Sequence, residues 1–370
     1  MDAEELRNYP KLGFGLMRLP RKGLKTDIEQ TKQMVDLFLE SGFRYFDTAY
    51  VYPGSEEATR KALVSRHARE EFELATKLNA WMLVRNEKAA KKQLYTSLKR
   101  TGLEYFDCYL LHGLMGQNYR SYDRYHIWEY VADLKSKGLV KQAGFSFHGG
   151  PDLLEEILSV HPEMDFVQLQ INYADWENKR IASRANYEVA RAHGKPVIVM
   201  EPVKGGSLAK PPRAVRELLD QADPDATYAS WAIRFAASLD GVLTVLSGMS
   251  NLAQMQDNAS YMRDFKPLDE GERSVIAEAQ RIMGKESGIP CTACHYCTKG
   301  CPKQIPIPEI FAAANLRYQQ GDAEGFRVAY AELAQKGNVA DACISCGQCE
   351  HACPQHIDVI HQLELCAASA

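Results

Sequence analysis

Eight short apolar runs, spread through the first 250 residues and separated by amphipathic stretches, constrain what this chain can fold into more than any other feature. They are Phe14–Leu19, Phe43–Thr48, Phe72–Thr76, Phe106–Leu111, Gln142–Phe147, Phe166–Ile171, Pro196–Met200 and Gly241–Leu246. Each is short and rich in Val, Ile, Phe and Tyr, the mark of a strand buried on both faces. Between the first two, Asp27–Ser41 places Ile28, Met34, Val35, Leu37 and Phe38 on one helical face. Thr26 and Glu29 stand at capping-box spacing before it, and Gly42 stops it. Helices are predicted likewise over Ser55–Ser65, Asn86–Thr101, Asp123–Gly138, Asp152–His161, Lys179–His193 and Thr227–Leu239. Alternating strands and helices build a parallel sheet through right-handed crossovers, and eight such units close it. The predicted class is α/β, a (β/α)8 TIM barrel. Two more helices, Asn251–Asp264 and Leu268–Met283, follow the last strand.

The cysteines mark a second region. Of ten, only Cys108 precedes residue 290; the others lie between Cys291 and Cys366. Eight form two copies of C-x2-C-x2-C-x3-C-P: Cys291, Cys294, Cys297 and Cys301 before Pro302, then Cys343, Cys346, Cys349 and Cys353 before Pro354. Crowded cysteines in a chain without an export signal indicate metal rather than disulfides. Paired C-x2-C sites can bind zinc, but four cysteines at these spacings, twice over, do not match a zinc ribbon. In runs of this type the fourth cysteine ligates the cluster of the other set. One 4Fe–4S cluster is then expected on Cys291, Cys294, Cys297 and Cys353, the other on Cys343, Cys346, Cys349 and Cys301. The module resembles bacterial two-cluster ferredoxins, with an insert at Lys303–Ala342 carrying helix-like runs Ile307–Gln319 and Ala323–Gln335. A small, mostly helical ferredoxin-like iron–sulfur domain is expected. The polar joint Gly284–Pro290 sets the boundary, giving a barrel over 1–284 and a cluster domain over 285–370. Cys366 reads as a spare thiol near a frayed end and Cys108 as a core residue.

Polar residues inside apolar strand ends carry the chemistry, because barrels of this class place their sites there. FRYFDTAYVY offers Asp47, Tyr50 and Tyr52; FELATK offers Lys77; FDCYLLH offers His112; GFSFH offers Ser146 and His148. A phenol is a poor acid at its usual pKa of about 10. A nearby ammonium lowers that value, an aspartate keeps the ammonium charged, and a neutral imidazole can orient a carbonyl oxygen. Together these groups suit protonation of an alkoxide as hydride arrives.

Residues 10–285 resemble the aldo-keto reductase family through GFRYFDTAYVYPGSEE, ATK, DCYLLH and LSGMSNLAQMQDN. The resemblance implies a catalytic tetrad of Asp47, Tyr52, Lys77 and His112, with the family spacing from Asp47 favouring Tyr52 over Tyr50. It implies a nicotinamide cofactor whose carboxamide meets Ser146 and Gln170, with His148 where many members have Asn. Met200 stands where many members stack a tyrosine on the ring. Pro202, Lys204, Gly205 and Gly206 are implied to line the pyrophosphate. Ser247, Gly248, Met249 and Ser250 precede a helix whose N–H groups suit a phosphate. Gln254 and Asn258, four apart on that helix, can both face the adenine. Leu246–Asn258 contains no Lys or Arg for a 2′-phosphate, so NADH stands beside NADPH as the expected cofactor, with Lys204 a possible source of charge from across the groove. Trp128 and Trp176 are candidates for an aromatic pocket wall, with core packing an equal alternative for each.

The expected function is NAD(P)H-dependent reduction of a small-molecule carbonyl (aldehyde, ketone or quinone) or oxidation of the matching alcohol, with clusters in a structural or electron-transfer role. Two alternatives stand beside it: coupling of nicotinamide oxidation to a one-electron, ferredoxin-type partner, and a non-catalytic nicotinamide-binding sensor. A formal charge of −4 does not steer the chain toward nucleic acid or an anionic membrane. No apolar run approaches the roughly 20 residues that span a bilayer. The opening MDAEELRNYPK is polar and acidic, and the expected location is the cytoplasm.

Overall fold

In the computed structural model, which describes residues 8–82, 84–284 and 288–370, every apolar run contributes a strand. The strands are β1 (Leu12–Gly15), a small hairpin of β2 (Arg21–Lys22) and β3 (Lys25–Thr26), β4 (Tyr45–Asp47), β5 (Glu73–Leu78), β6 (Phe106–Leu114), β7 (Val140–Phe147), β8 (Phe166–Gln170), β9 (Val197–Met200) and β10 (Val242–Ser247). Apart from the hairpin they form one closed barrel in the order β1-β10-β9-β8-β7-β6-β5-β4, every pair parallel. Sequential strands are neighbours all the way round, as a (β/α)8 barrel requires. Tyr45, Ala75, Cys108, Leu110, Phe166, Ile198, Leu243 and Leu246 pack together, with Tyr9 against them.

Local differences from the sequence reading have local causes. The first strand is Leu12–Gly15, not Phe14–Leu19: the ladder to β4 ends at Gly15↔Asp47, and Leu16–Arg18 then tighten into a 3-10 turn. The first helix spans Ile28–Glu40, and its cap is Asp27, whose carboxylate accepts from Gln30 N at 3.1 Å. Thr26 is unavailable for the expected capping box because it pairs with Arg21 in the hairpin. The helix expected over Asp123–Gly138 breaks into Arg120–Arg124 and Ile127–Ser136 at His126, which adopts φ +48°. A helix at Arg213–Ala222 was not foreseen. It follows two prolines, buries Val215 and Leu219, and packs on the helix Glu270–Met283.

The described residues form two compact units: those up to 178 with 182–202 and 229–269, and 179–181 and 203–228 with those from 270 onward. Within the second, helices Ile307–Gln320, Ala323–Ala334 and Val359–Ala367 enclose a core that includes Ile310, Phe311, Phe326, Leu363 and Cys366. The joint expected at Gly284–Pro290 falls partly on residues 285–287, outside the described residues. Among the described residues no helix is long and apolar enough to cross a membrane.

Candidate active site and cluster residues

Parallel strands bring all their C-terminal ends to one face. Asp47 ends β4, Lys77 is the second-last residue of β5, and His112 lies in β6 at a register shift between Leu111 and Leu114. Lys77 Nζ donates to Asp47 Oδ1 and, at 2.9 Å, to the Thr48 carbonyl. The other Asp47 oxygen accepts from Gln168 Nε2 at 3.2 Å. Lys77 is 1 % and Asp47 5 % exposed. Burial pulls the Lys77 pKa below its ordinary value, and the charge of Asp47 opposes that shift. The Tyr52 ring centroid is 5.5 Å from Lys77 Nζ and 5.7 Å from the His112 ring, which it meets edge-on.

The supporting contacts fix this geometry. Thr48 Oγ1 and Ser55 Oγ share a hydrogen bond of 2.7 Å, and Ser55 Oγ donates to the Leu16 carbonyl, pinning the loop that carries Tyr52. The His112 carbonyl accepts from Trp81 Nε1 at 3.1 Å and from the Tyr122 hydroxyl at 2.6 Å. Trp81 was not singled out in the sequence, where nothing periodic distinguishes it. Tyr50 turns elsewhere: its ring lies 4.7 Å from the Arg100 guanidinium carbon. Trp128 is buried and stacks on His161 at 3.8 Å, and Trp176 packs against Tyr187 and Phe235, so both act in packing. A phenol over a buried ammonium and beside an imidazole is an arrangement for proton transfer.

Beyond this group, Ser146, Gln170 and Met200 lie at the ends of β7, β8 and β9, with Gln170 and Met200 directly paired. Ser146 Oγ accepts from Gly113 N at 2.8 Å, and His148, half-buried, donates its backbone N–H to Leu114. Gln170 Nε2 donates to Asp175 Oδ2 at 3.0 Å. Asp175 was not foreseen, although Gln170, Asn172 and Asp175 stand out as polar residues at an apolar strand end. Pro202 is buried, and Lys204, Gly205 and Gly206 follow with φ of +50°, +65° and +100°. In the second compact unit a Cβ on Gly205 would lie 2.7 Å from Thr292 Cα, so this loop rests on the first cysteine loop.

Ser247 ends β10, Gly248 is exposed, Met249 is buried, and Ser250 N donates to Gln254 Oε1 at 2.7 Å. Gln254 is exposed. Asn258 is buried and engaged at both amide ends, donating to Ser247 Oγ and accepting from the Tyr261 hydroxyl, each at 2.7 Å. It braces the loop from behind. The stretch without Lys or Arg gains a neighbour from β1's far side: a Cβ on Gly248 would lie 3.6 Å from Arg18 Cδ. Arg18 Nη2 also lies 3.8 Å from Glu201 Oε1. Sequence reading missed Arg18 because some 230 residues separate it from Gly248.

The cysteines fall into two groups. Cys301, Cys343, Cys346 and Cys349 line one cavity with Ile305, Ile307, Ile344, Ile360 and Leu363. Burial, and then the neighbouring Cys294, Cys291, Cys353 and Cys349, push the Cys297 thiol up. Cys301 of the first set therefore lies with three cysteines of the second, and Cys297 has both Cys349 and Cys353 of the second set among its neighbours. The backbone repeats as well. Ala293 and Ser345 adopt φ +51° and +53°, His295 and Gly347 +61° and +75°, Gln304 and His356 +53° and +50°, at equivalent places in the two sets. Ala293 N donates to Cys291 Sγ at 3.5 Å and Ser345 N to Cys343 Sγ at 3.4 Å, the same bond in both loops. Among the described residues no three His, Cys, Asp or Glu side chains converge on a single-ion site; Cys301, Cys343, Cys346 and Cys349 line an apolar cavity instead, a donor set and a hollow that fit a thiolate-held cluster. Cys366 is not at a frayed end: it is buried in the helix Val359–Ala367, and burial pushes its thiol up to about 11. Cys108 is buried in the barrel, as expected.

Residues 11–281 match the aldo/keto reductase family. The chain belongs to that family. Residues 290–357 of this reductase match the 4Fe-4S dicluster domain. Methylglyoxal reductase DkgA of Escherichia coli K12 is 28% identical over 284 residues, 75% of this chain and 92% of the relative. An aldo-keto reductase of Mycolicibacterium vanbaalenii is 30% identical over 276 residues, 71% of this chain and 90% of the relative. Among solved structures, the holo form of an aldo-keto reductase from Bacillus halodurans superposes with a TM-score of 0.60 at 26% identity, covering 73% of this chain and 91% of that one. A Klebsiella pneumoniae aldo-keto reductase in complex with NADPH shares the fold at 18% identity and a TM-score of 0.59, covering 74% of this chain and 91% of that one. The reductase is thus an oxidoreductase with a barrel and a helical C-terminal cluster region.

Proposed function

We propose that this reductase converts a small aldehyde, ketone or quinone to the alcohol, or the alcohol back, using NADPH or NADH. One observation carries the reading: Lys77, buried and paired with Asp47, lies under the Tyr52 ring with His112 at its edge. When bound, the reduced nicotinamide supplies the hydride. Tyr52 then donates its proton to the carbonyl oxygen. The Lys77 ammonium stabilises the phenolate left behind, Asp47 holds Lys77 charged against its burial, and His112 directs the oxygen. Relatives named methylglyoxal reductases support a small aldehyde as substrate.

Ser146 and Gln170 are proposed to hold the carboxamide with His148 beside them, and Met200 to pack against the ring. Pro202, Lys204, Gly206 and the turn Ser247, Gly248, Met249 and Ser250 are proposed to line the pyrophosphate, with Gln254 toward the adenine and Asn258 bracing Ser247. With no cation within Leu246–Asn258, Arg18 beside Gly248 is the proposed source of charge for a 2′-phosphate.

Two 4Fe–4S clusters are proposed, on Cys291, Cys294, Cys297 and Cys353 and on Cys343, Cys346, Cys349 and Cys301, in a domain over 285–370 that follows a barrel over 1–284. Their proposed role is to hold the C-terminal fold, in a reducing compartment such as the cytoplasm. A hydride carries two electrons and each cluster moves one, and no flavin motif bridges the two.

Anaerobically purified protein is assayed for NADPH and NADH oxidation with aldehydes, ketones and quinones. Tyr52→Phe is expected to lower turnover by at least about 10²-fold; unchanged turnover overturns the reading. Carbonyl turnover that survives Cys294→Ala and Cys346→Ala in folded protein supports a structural role for the clusters. Loss confined to one-electron acceptors supports a ferredoxin-type partner instead.

A further inference from the structure

Asp175 is a carboxylate with 0 % exposure in the turn after β8. Its Oδ2 atom accepts two amide N–H groups, Gln170 Nε2 at 3.0 Å and Asn172 Nδ2 at 2.9 Å. Asn172 is tied in turn, its Oδ1 accepting from Asp175 N at 2.9 Å and its Nδ2 donating to the Glu201 carbonyl at 3.2 Å. The backbone of Gln170 is fixed as well, since its carbonyl accepts from Ser183 Oγ at 2.8 Å.

An ionised carboxylate only accepts hydrogen bonds, so an amide against it must present its NH2 end. The two ends of an amide point in opposite directions, and their assignment follows from the network around them. With Nε2 committed to Asp175, the carbonyl oxygen of Gln170 is turned away from Asp175, as an acceptor. A nicotinamide carboxamide offers an NH2 donor to such an acceptor.

We propose that Asp175 is a positioning residue that orients the Gln170 amide so that its oxygen receives the carboxamide N–H of the nicotinamide. The inference rests on the carboxamide contact proposed above for Gln170. An asparagine at 175 has the same shape but can donate or accept, so it would no longer enforce one orientation of Gln170. A charge-assisted bond is also roughly twice as strong as a neutral one.

The test measures equilibrium dissociation constants by fluorescence on the full, cluster-loaded chain. The probes are NADPH and 2′-phospho-ADP-ribose, which lacks the nicotinamide ring. Asp175→Asn is expected to weaken NADPH about tenfold and to leave the ring-less nucleotide unchanged, with no further loss when combined with Gln170→Ala. A general loss of fold would weaken both probes alike and would overturn the proposal. Wild-type NADPH binding by Asp175→Asn, beside weakened binding by Gln170→Ala, overturns the positioning role alone. Wild-type binding by Gln170→Ala overturns the carboxamide contact itself. Should Asp175→Asn not fold, the wild type carries the test: the 3-acetylpyridine analogue, which has no carboxamide N–H, is expected to bind about tenfold more weakly than the parent nucleotide. Equal affinity overturns the proposal.

Discussion

Lys77 shows how much a single position can commit a fold. An ammonium at 1 % exposure is tolerable only because Asp47 and the Thr48 carbonyl meet it. Lys77→Met leaves Asp47 buried without its counter-charge and is expected to destabilise the protein by about 3–5 kcal/mol, read from the urea midpoint. The double variant with Asp47→Asn should recover much of that loss. Lys11 gives a pH signature. Burial lowers its pKa from 10.5 to about 8, and Asp240 opposes the shift. Between those values the unfolded chain binds the proton and the folded chain has released it. The penalty for holding this charge is therefore present below pH 8 and fades as pH rises toward 10.5, so stability gains with pH in that window. Urea midpoints measured from pH 7 to 10 should show a smaller upward slope for Lys11→Met than for the wild type; equal slopes would remove Lys11 as the source.

Among the elements, β7 and β8 are set by a glycine. Gly144 pairs with Phe166, and a Cβ there would come within 2.5 Å of the Phe166 carbonyl and 2.8 Å of its ring. Backbone cannot yield as a flexible side chain does. Gly144→Ala is expected to cost about 1–3 kcal/mol, visible as a lowered Tm. Ser146 and Gln170, the proposed carboxamide contacts, lie just beyond this point, so on that proposal nicotinamide affinity should fall with it. Strands were legible from their apolar runs because a strand buried on both faces has little freedom in composition. The ends of elements were less so. β1 stops where its partner stops, and Thr26 is claimed by a hairpin rather than a helix cap. Neither fact is local.

For the whole molecule, the cysteines are also part of the C-terminal core. Cys349, Cys353 and Cys366 are buried in the core formed by the C-terminal helices, and Cys291, Cys297, Cys301 and Cys343 pack against it. Removing iron under anaerobic conditions is expected to strip hydrogen-exchange protection from helices Ile307–Gln320, Ala323–Ala334 and Val359–Ala367 while β4 to β8 keep theirs. Protection unchanged in those helices would mean that their apolar core suffices without metal.

The amino-acid order alone determined the strand runs, the two cysteine sets, and the presence of Asp47, Lys77 and His112 at strand ends. Each follows from a period or spacing carried within a few residues. Closure of the barrel decided the rest. It brought β1 against β10, and so Arg18 beside Gly248, across a gap in sequence that no periodicity spans. It turned Tyr50 toward Arg100 and left Tyr52 over Lys77, though the two tyrosines stand two residues apart in one loop. It also buried Asp175, whose charge is legible in the sequence but whose hold on Gln170 exists only once the turn after β8 has closed. Contacts of that kind depend on how distant segments meet, and chain order specifies them only through the fold.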